Sequence, residues 1–183
     1  MAEAKIKTQQ DLVLKYICAK DKNRPHLMGE VFTNTATLEM KLKTQNISFP
    51  SQTLGLDNIT EVLVTKFSQS YEQVYTFCLT DTINNSSQIL KSDWIVCMRE
   101  KKSGDIRIGY GVYNWFFTKD EKPLVTHLTI QIEEMMTMEK EYSTLFFNWV
   151  EKLDYPLCSL EQLFKKSPNF RAIKSIQKYF RKQ

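Results

Sequence analysis

The residue types that usually carry catalysis are sparse in this 183-residue chain and are not grouped. One of its two histidines, His26, follows Pro25 in a short helical stretch, where an exposed position is expected. The other, His127, falls on a predicted strand, where alternation places it with Val125 and opposite Leu128. Because the apolar face should point inward, we expect His127 to point away from any pocket.

Motifs for nucleotides, metals and activated nucleophiles are absent from the sequence. Gly104, Gly109 and Gly111 lack the Lys and the strand-turn-helix setting of a phosphate loop. The chain has no HExxH, GxSxG or CxxC sequence, and its four cysteines are widely spaced within apolar stretches. We therefore predict buried free thiols, no metal site and no cofactor.

Composition and charge narrow the class of protein. The N-terminus lacks the basic start and apolar run of a signal peptide, and no stretch approaches the ~18 apolar residues of a membrane span. We therefore expect a soluble cytoplasmic protein. Residues 165–183 hold seven Lys or Arg and no acid, whereas the rest of the chain has 18 basic and 21 acidic residues. This mildly acidic body argues against nucleic-acid binding.

The order of the secondary-structure elements follows from hydrophobic periodicity and turn residues. Turn-like links such as NNSS and KKSGD separate the central strands, so an antiparallel meander is expected. The predicted strands span residues 33–43, 73–82, 89–99, 106–118 and 124–134. The predicted helices span residues 9–20, 24–30, 58–67, 143–153, 160–166 and 169–182.

Two segments of this pattern resemble the NTF2-like superfamily, which includes SnoaL-like polyketide cyclases, scytalone dehydratase and ketosteroid isomerase. They are VFTNTATLEM, which leads into the first strand, and GLDNITEVL, which opens the following helix. The resemblance covers residues 9–136. It implies an α+β, cystatin-like cone in which a curved, mostly antiparallel sheet and N-terminal helices surround a pocket. We assign residues 1–140 to this domain and residues 141–183 to a C-terminal helical extension packed on it.

The resemblance also suggests which residues face the pocket. Tyr16 matches the tyrosine that donates a hydrogen bond to the enolate in ketosteroid isomerase, and Tyr113 matches its second donor. Met40 occupies the position of the isomerase's general base, and methionine cannot accept a proton. Steroid isomerisation is therefore not expected, although Glu39, Asp93 or Glu61 remain alternative bases. The residues predicted to line the pocket are Tyr16, Phe32, Met40, Phe67, Trp94, Tyr113 and Trp115.

Both faces of the strand at 106–118 are aromatic or apolar, so its outer face needs a cover. The resemblance favours a second subunit, giving a homodimer through the sheet. The alternative cover is the chain's own C-terminal region. There, residues 169–182 form an amphipathic helix with Ile173 and Ile176 on its apolar side. We expect this helix to dock on the domain rather than to bind a membrane surface or an acidic partner.

Two functions remain open at this stage. The first is a protein that binds a small, largely apolar ligand in the aromatic-lined cavity, and that could be a SnoaL-like enzyme. The second is a non-enzymatic interaction or assembly domain that uses its sheet face or its basic C-terminal helix. A pocket of several hundred Å³ would favour the first, and a packed interior the second.

Overall fold

A curved sheet of eight strands forms the centre of the computed structural model, which describes residues 8–182. The strands are Phe32–Leu42 (β1), Gln52–Leu54 (β2), Tyr71–Leu79 (β3), Asn84–Asn85 (β4), Ile89–Glu100 (β5), Ile106–Phe117 (β6), Val125–Met138 (β7) and Leu157–Cys158 (β8). The α-helices are Gln9–Asp21 (α1), Leu56–Thr60 (α2), Lys66–Ser70 (α3), Ser143–Val150 (α4), Leu160–Lys165 (α5) and Arg171–Phe180 (α6). A π-helical turn, Glu61–Thr65, joins α2 to α3.

The strand order is β2-β1-β7-β6-β5-β3-β8, and β4 pairs with β5. Strands β3, β5, β6 and β7 pair antiparallel, as their short turns predicted, so the mixed α+β cone is confirmed. Two pairings are parallel: β1 with β7 and β3 with β8. The edge strands β2 and β8 were not predicted, because two or three residues are too few to show alternation.

Helix α1 starts at a capping box. The Thr8 hydroxyl accepts from the Asp11 N–H at 3.1 Å, and the Asp11 carboxylate accepts from the Thr8 N–H at 3.0 Å. These two bonds satisfy backbone donors that the first turn of a helix leaves open. The capping box therefore stabilises the N-terminal end of α1.

The inner face of the sheet packs against α1 and the segment from α2 to α3. The buried residues of this layer, here called the inner cluster, include Tyr16 from α1 and Phe67 from α3. Val125 and Leu128 both belong to it, so the predicted placement of Val125 beside His127 was wrong. A register shift between the pairs Phe116–His127 and Phe117–Val125 interrupts the alternation of β7 at this point.

The opposite, outer face is partly covered by the C-terminal helices. A second group of buried residues, here called the outer cluster, joins Phe77, Ile95 and Ile108 of the sheet to Phe146 and Ile173 of the helices. The chain's own C-terminal region thus covers β3, the last half of β5 and the first half of β6. A homodimer through the sheet remains a prediction, and only the uncovered half of this face is open to it.

That uncovered half carries mostly polar side chains. Thr37 and Glu39 of β1 lie beside His127 and Thr129 of β7, and Asn114 of β6 pairs with Thr129. None of the helices within residues 8–182 is long and apolar enough to cross a membrane.

Candidate functional site

A small cavity lies inside the cone, between the inner face of the sheet and helices α1 and α3. Its volume is about 40 Å³. Five of the seven residues predicted to face the pocket line it: Tyr16, Met40, Phe67, Trp94 and Tyr113. A space of this size holds about one water molecule, at ~30 Å³ each. The interior is therefore nearly filled by its own side chains.

The other two predicted residues, Phe32 and Trp115, lie behind Tyr16. Their ring centroids are 6.2 Å and 5.1 Å from that of Tyr16, and both side chains are buried in the inner cluster. All seven residues thus belong to one aromatic-rich layer. Phe32 and Trp115 support its wall and do not reach the cavity.

The wall formed by β5 and β6 depends on a glycine. Trp94 pairs across the strands with Gly111, and its ring stacks on Tyr113 with centroids 5.4 Å apart. A Cβ at Gly111 would lie 2.9 Å from the Trp94 ring and 1.8 Å from the Gln131 carbonyl oxygen. Because only glycine fits there, the indole can lie flat across β6 and face the cavity.

Tyr16 and Tyr113 are neutral phenols in this setting. Burial raises the pKa of Tyr16 far above the usual value for tyrosine, the Asp21 carboxylate raises it further, and a hydrogen bond with Tyr113 offsets a small part. Burial, followed by the neighbouring Tyr16, likewise raises the pKa of Tyr113 well above its usual value. Both hydroxyls therefore keep their protons, and because one proton is used in the bond between them, the pair offers one O–H donor to a ligand.

A buried ion pair at the end of α1 was not predicted from the sequence. The Lys20 Nζ lies 2.6 Å from Asp21 Oδ1, and the two side chains are 7% and 0% exposed. The Asp21 carboxylate also accepts from the Thr76 N–H at 2.6 Å, the Thr76 hydroxyl at 2.9 Å and the Tyr155 hydroxyl at 3.0 Å. Such extra hydrogen bonds are what a buried ion pair needs to offset its loss of hydration.

Donors dominate the polar groups around the cavity. Lys20 lines it, and its Nζ lies 4.6 Å from the centroid of the Phe67 ring, within cation–π range. The Trp94 Nε1–H is buried and has no acceptor among the described residues. Together with Tyr16 and Tyr113, these groups can hold an oxygen atom of a ligand. None of the described residues lining the cavity is Asp, Glu or His.

The three alternative bases lie elsewhere. Glu39 is on the outer face, where it accepts a hydrogen bond from Thr129 at 3.2 Å. Asp93 follows Ser92 on β5 and faces away from Trp94, and burial raises the pKa of its carboxyl. Glu61 is half-buried in the π-helical turn. Because none of them lines the cavity, none can take a proton from a molecule held there.

The histidines also lie outside the cavity. His26 is exposed, and His127 is on the outer face as predicted. The His127 Nδ1 lies 2.5 Å from Thr37 Oγ1, and its Nε2 lies 3.0 Å from Thr129 Oγ1. Within residues 8–182, no group of three or more His, Cys, Asp or Glu side chains is placed to hold a metal ion.

The segment between β1 and β2 covers the mouth of the cavity. Its residues Ile47 and Phe49 line both the interior cavity and a surface cavity of about 270 Å³. The segment is held at Asn46, whose side-chain amide donates to the Met135 carbonyl at 2.8 Å and whose own carbonyl accepts from Arg107. Together with Phe67 of α3, which also lines both cavities, these two apolar side chains separate the interior from a larger space outside.

No protein-family model matches the chain, and no curated protein matches it. Solved structures do match the chain in fold. The protein LinA has a TM-score of 0.58 and 10% identity over 70% of this chain and 86% of its own. An NTF2-like superfamily protein from Salmonella enterica serovar Typhimurium LT2 has a TM-score of 0.55 and 14% identity, covering 69% and 91%. A putative scytalone dehydratase from Novosphingobium aromaticivorans DSM 12444 has a TM-score of 0.53 and 14% identity, covering 69% and 83%.

At these identities the comparison establishes the fold alone. The shared part spans about 70% of this chain. The predicted fold, which rested on two short segments and the order of elements, is confirmed: the chain has the NTF2-like fold.

Proposed function

We propose that the interior cavity binds a small, largely apolar molecule that carries one hydrogen-bond acceptor, such as a carbonyl oxygen. The observation that carries this proposal is the buried Lys20 ammonium, which lines the cavity and uses two of its three donors within residues 8–182. Leaving a buried donor unpaired costs about 1–3 kcal/mol, and a ligand oxygen would remove that cost.

The other polar groups of the lining support the same chemistry. The phenols of Tyr16 and Tyr113 stay protonated because burial raises their pKa. The Lys20 ammonium has three donors, and its hydrogen bonds to Asp21 and Thr76 use two of them. A ligand acceptor could therefore be held from several sides, while the remaining wall contacts its apolar part.

Binding requires the mouth segment to move. The interior volume of about 40 Å³ is too small for an organic ligand, but the surface cavity behind Ile47 and Phe49 adds about 270 Å³. If these two side chains swing out, the joined space reaches the lower end of the ~300–1,000 Å³ typical of ligand sites. Met40, Met98 and Met135 also line the cavity, and flexible thioether side chains can rearrange around a ligand.

This proposal is one of binding rather than of a particular reaction. The donors could polarise a carbonyl or stabilise an oxyanion. A SnoaL-like enzyme that removes a proton also needs a base, and the lining has Met40 where ketosteroid isomerase has its base. Steroid isomerisation by that route is accordingly not part of the proposal.

The test compares 1-indanone with indane, which have the same rings and differ in the carbonyl group. The indole N–H resonances of the three tryptophans are followed by heteronuclear NMR, with Trp94→Phe identifying the relevant signal. We expect 1-indanone to shift the Trp94 signal saturably and at least tenfold more tightly than indane. Replacing Ile47 by Ala should tighten binding, because a smaller side chain opens the mouth. Equal affinity for both compounds, or no saturable shift up to their solubility, would refute the proposal.

A second candidate function is a non-enzymatic interaction domain with a filled interior. The small cavity volume favours it, since a packed cone has no need of a ligand. Its contact surface would be the uncovered polar half of the outer face, through which a homodimer could form, or the basic side of α6. This candidate predicts no response of the Trp94 signal to either compound and a concentration-dependent mass in sedimentation experiments.

A further inference from the structure

A second cavity lies on the molecular surface between helices α4 and α5, away from the interior. Its volume is about 410 Å³, within the ~300–1,000 Å³ typical of sites for small molecules. Phe146 and Val150, on one side of helix α4, pack in the outer cluster. Leu145, on another side of the helix, is 57% exposed. Leu145, Trp149 and Leu153 give the cavity an apolar floor.

Trp149 is the most enclosed side chain of this floor. Its side chain is only 8% exposed, yet its Nε1–H has no acceptor among the described residues. A buried indole N–H normally finds a partner, because the donor has lost its hydrogen bond to water. The Nε1 atoms of Trp94 and Trp115 are buried without an acceptor in the same way, so Trp149 contributes apolar surface to this cavity and is not assigned as a donor.

The rim of the cavity is basic. Lys152, Lys165 and Lys166 line it, and all three are exposed. The acidic residue of the lining, Asp154, already accepts a hydrogen bond from the Gln162 side-chain amide. Three ammonium groups against the one Asp154 carboxylate leave the lining net positive, and together with the apolar floor they favour a ligand that is negatively charged at one end and apolar at the other.

We infer that the cavity between α4 and α5 binds a small amphipathic anion: an alkyl or aryl carboxylate, or the corresponding phosphate monoester. The apolar part lies on Leu145, Trp149 and Leu153. The anionic oxygens accept from the lysines at the rim. This site is independent of the interior cavity and of the function proposed for it.

The three tryptophans make the two sites distinguishable in one NMR experiment. Trp94 lines the interior cavity, Trp115 is fully buried, and Trp149 lines the surface cavity. The probes are hexanoate, hexyl phosphate and the uncharged 1-hexanol, and Trp149→Phe identifies the third indole signal. We expect both anions to shift the Trp149 signal saturably, with 1-hexanol at least tenfold weaker at this signal, whereas any shift of the Trp94 signal reports the interior cavity.

Paired variants with equal loss of charge test the role of the rim. Lys165→Gln with Lys166→Gln should weaken hexanoate binding at least tenfold. Lys174→Gln with Lys178→Gln, on exposed positions of α6 that do not line the cavity, should change it less than twofold. All four positions are on the surface, so the variants should fold. Absence of a saturable shift, equal binding of 1-hexanol, or equal weakening by both pairs would each overturn the inference.

Discussion

The inner and outer faces of the same strands are covered in different ways. On the inner face, α1 and α3 close over aromatic rings and leave a cavity whose polar lining is mainly donors, with Lys20 paired to the buried Asp21. On the outer face, α4 to α6 dock on one half through apolar side chains and leave the other half polar. The difference shows on which side burial costs hydration energy. Charged and polar groups are buried on the inner side. On the outer side, the contacts of α4 to α6 with the sheet are mostly apolar.

The largest expected effect comes from the buried ion pair on the inner side. Replacing Lys20 by Met leaves the Asp21 carboxylate buried without its counter-charge, which should lower the free energy of unfolding by about 3–5 kcal/mol. The measurement is urea denaturation followed by circular dichroism.

Two further variants sharpen this result. Lys20→Met combined with Asp21→Asn should be more stable than Lys20→Met alone, because the uncompensated charge is then gone. Lys15→Met, also on α1, breaks a partly exposed pair with Glu30, which lies beyond the end of that helix, and should cost at most about 1 kcal/mol. If the losses at Lys20 and Lys15 are similar, the enclosure of polar groups on the inner side is not what distinguishes the two faces.

A somewhat smaller effect is expected where α6 docks on the outer face. Ile173 is 2% exposed, so Ile173→Asp should lower the free energy of unfolding by about 3 kcal/mol. Ser175→Asp adds the same charge to an exposed position of the helix and should change stability by less than about 0.5 kcal/mol.

Melting curves followed by circular dichroism compare both variants with the unmodified protein, and a sedimentation test with anionic vesicles accompanies them. A docked α6 has its apolar side occupied, so the unmodified protein should not co-sediment. An unchanged melting temperature in Ile173→Asp, together with salt-sensitive vesicle binding by the unmodified protein, would mean that α6 is an anchor instead.

The smallest effect concerns alkaline pH and the inner phenols. Burial raises the pKa of Tyr16 and Tyr113 in the folded state, whereas in the unfolded chain a phenol titrates near pH 10. Below pH about 10 both states keep their protons, and the contribution to stability is complete. Above it the unfolded chain loses protons that the folded chain retains, so stability falls by up to about 1.4 kcal/mol per pH unit for each phenol.

Urea denaturation between pH 8 and pH 11 measures this slope. The variant with Tyr16→Phe and Tyr113→Phe should show a shallower decline than the unmodified protein. Identical slopes would mean that these two phenols titrate alike in the folded and unfolded chains.

Much of the fold could be predicted because its signals are local. The meander from β5 to β7 follows from alternating residues and turn sequences, and its predicted limits fall close to the observed ones. The failures also have local causes. Val125 was assigned to the wrong face because a register shift near Thr126 breaks the two-residue period, and alternation cannot reveal such a shift.

The candidate site was only partly predictable. Tyr16, Met40 and Tyr113 could be placed because the family resemblance supplied an alignment, and they do line the cavity. Lys20 and Asp21 could not be found, since a charged pair at a helix end is normally solvated. Only their neighbours reveal otherwise: Thr76 and Tyr155, 55 and 134 residues after Asp21, close over the carboxylate.

By itself the sequence determined the order of the elements and which side of each long helix is apolar, because both depend on neighbours within a few residues. The tertiary structure decided how much space the cone contains and what covers the outer face. Cavity volume depends on how side chains from α1, β5, β6 and the mouth segment fill one space, and the cover depends on where α6 returns to the sheet. Both are long-range contacts, and no local pattern encodes them.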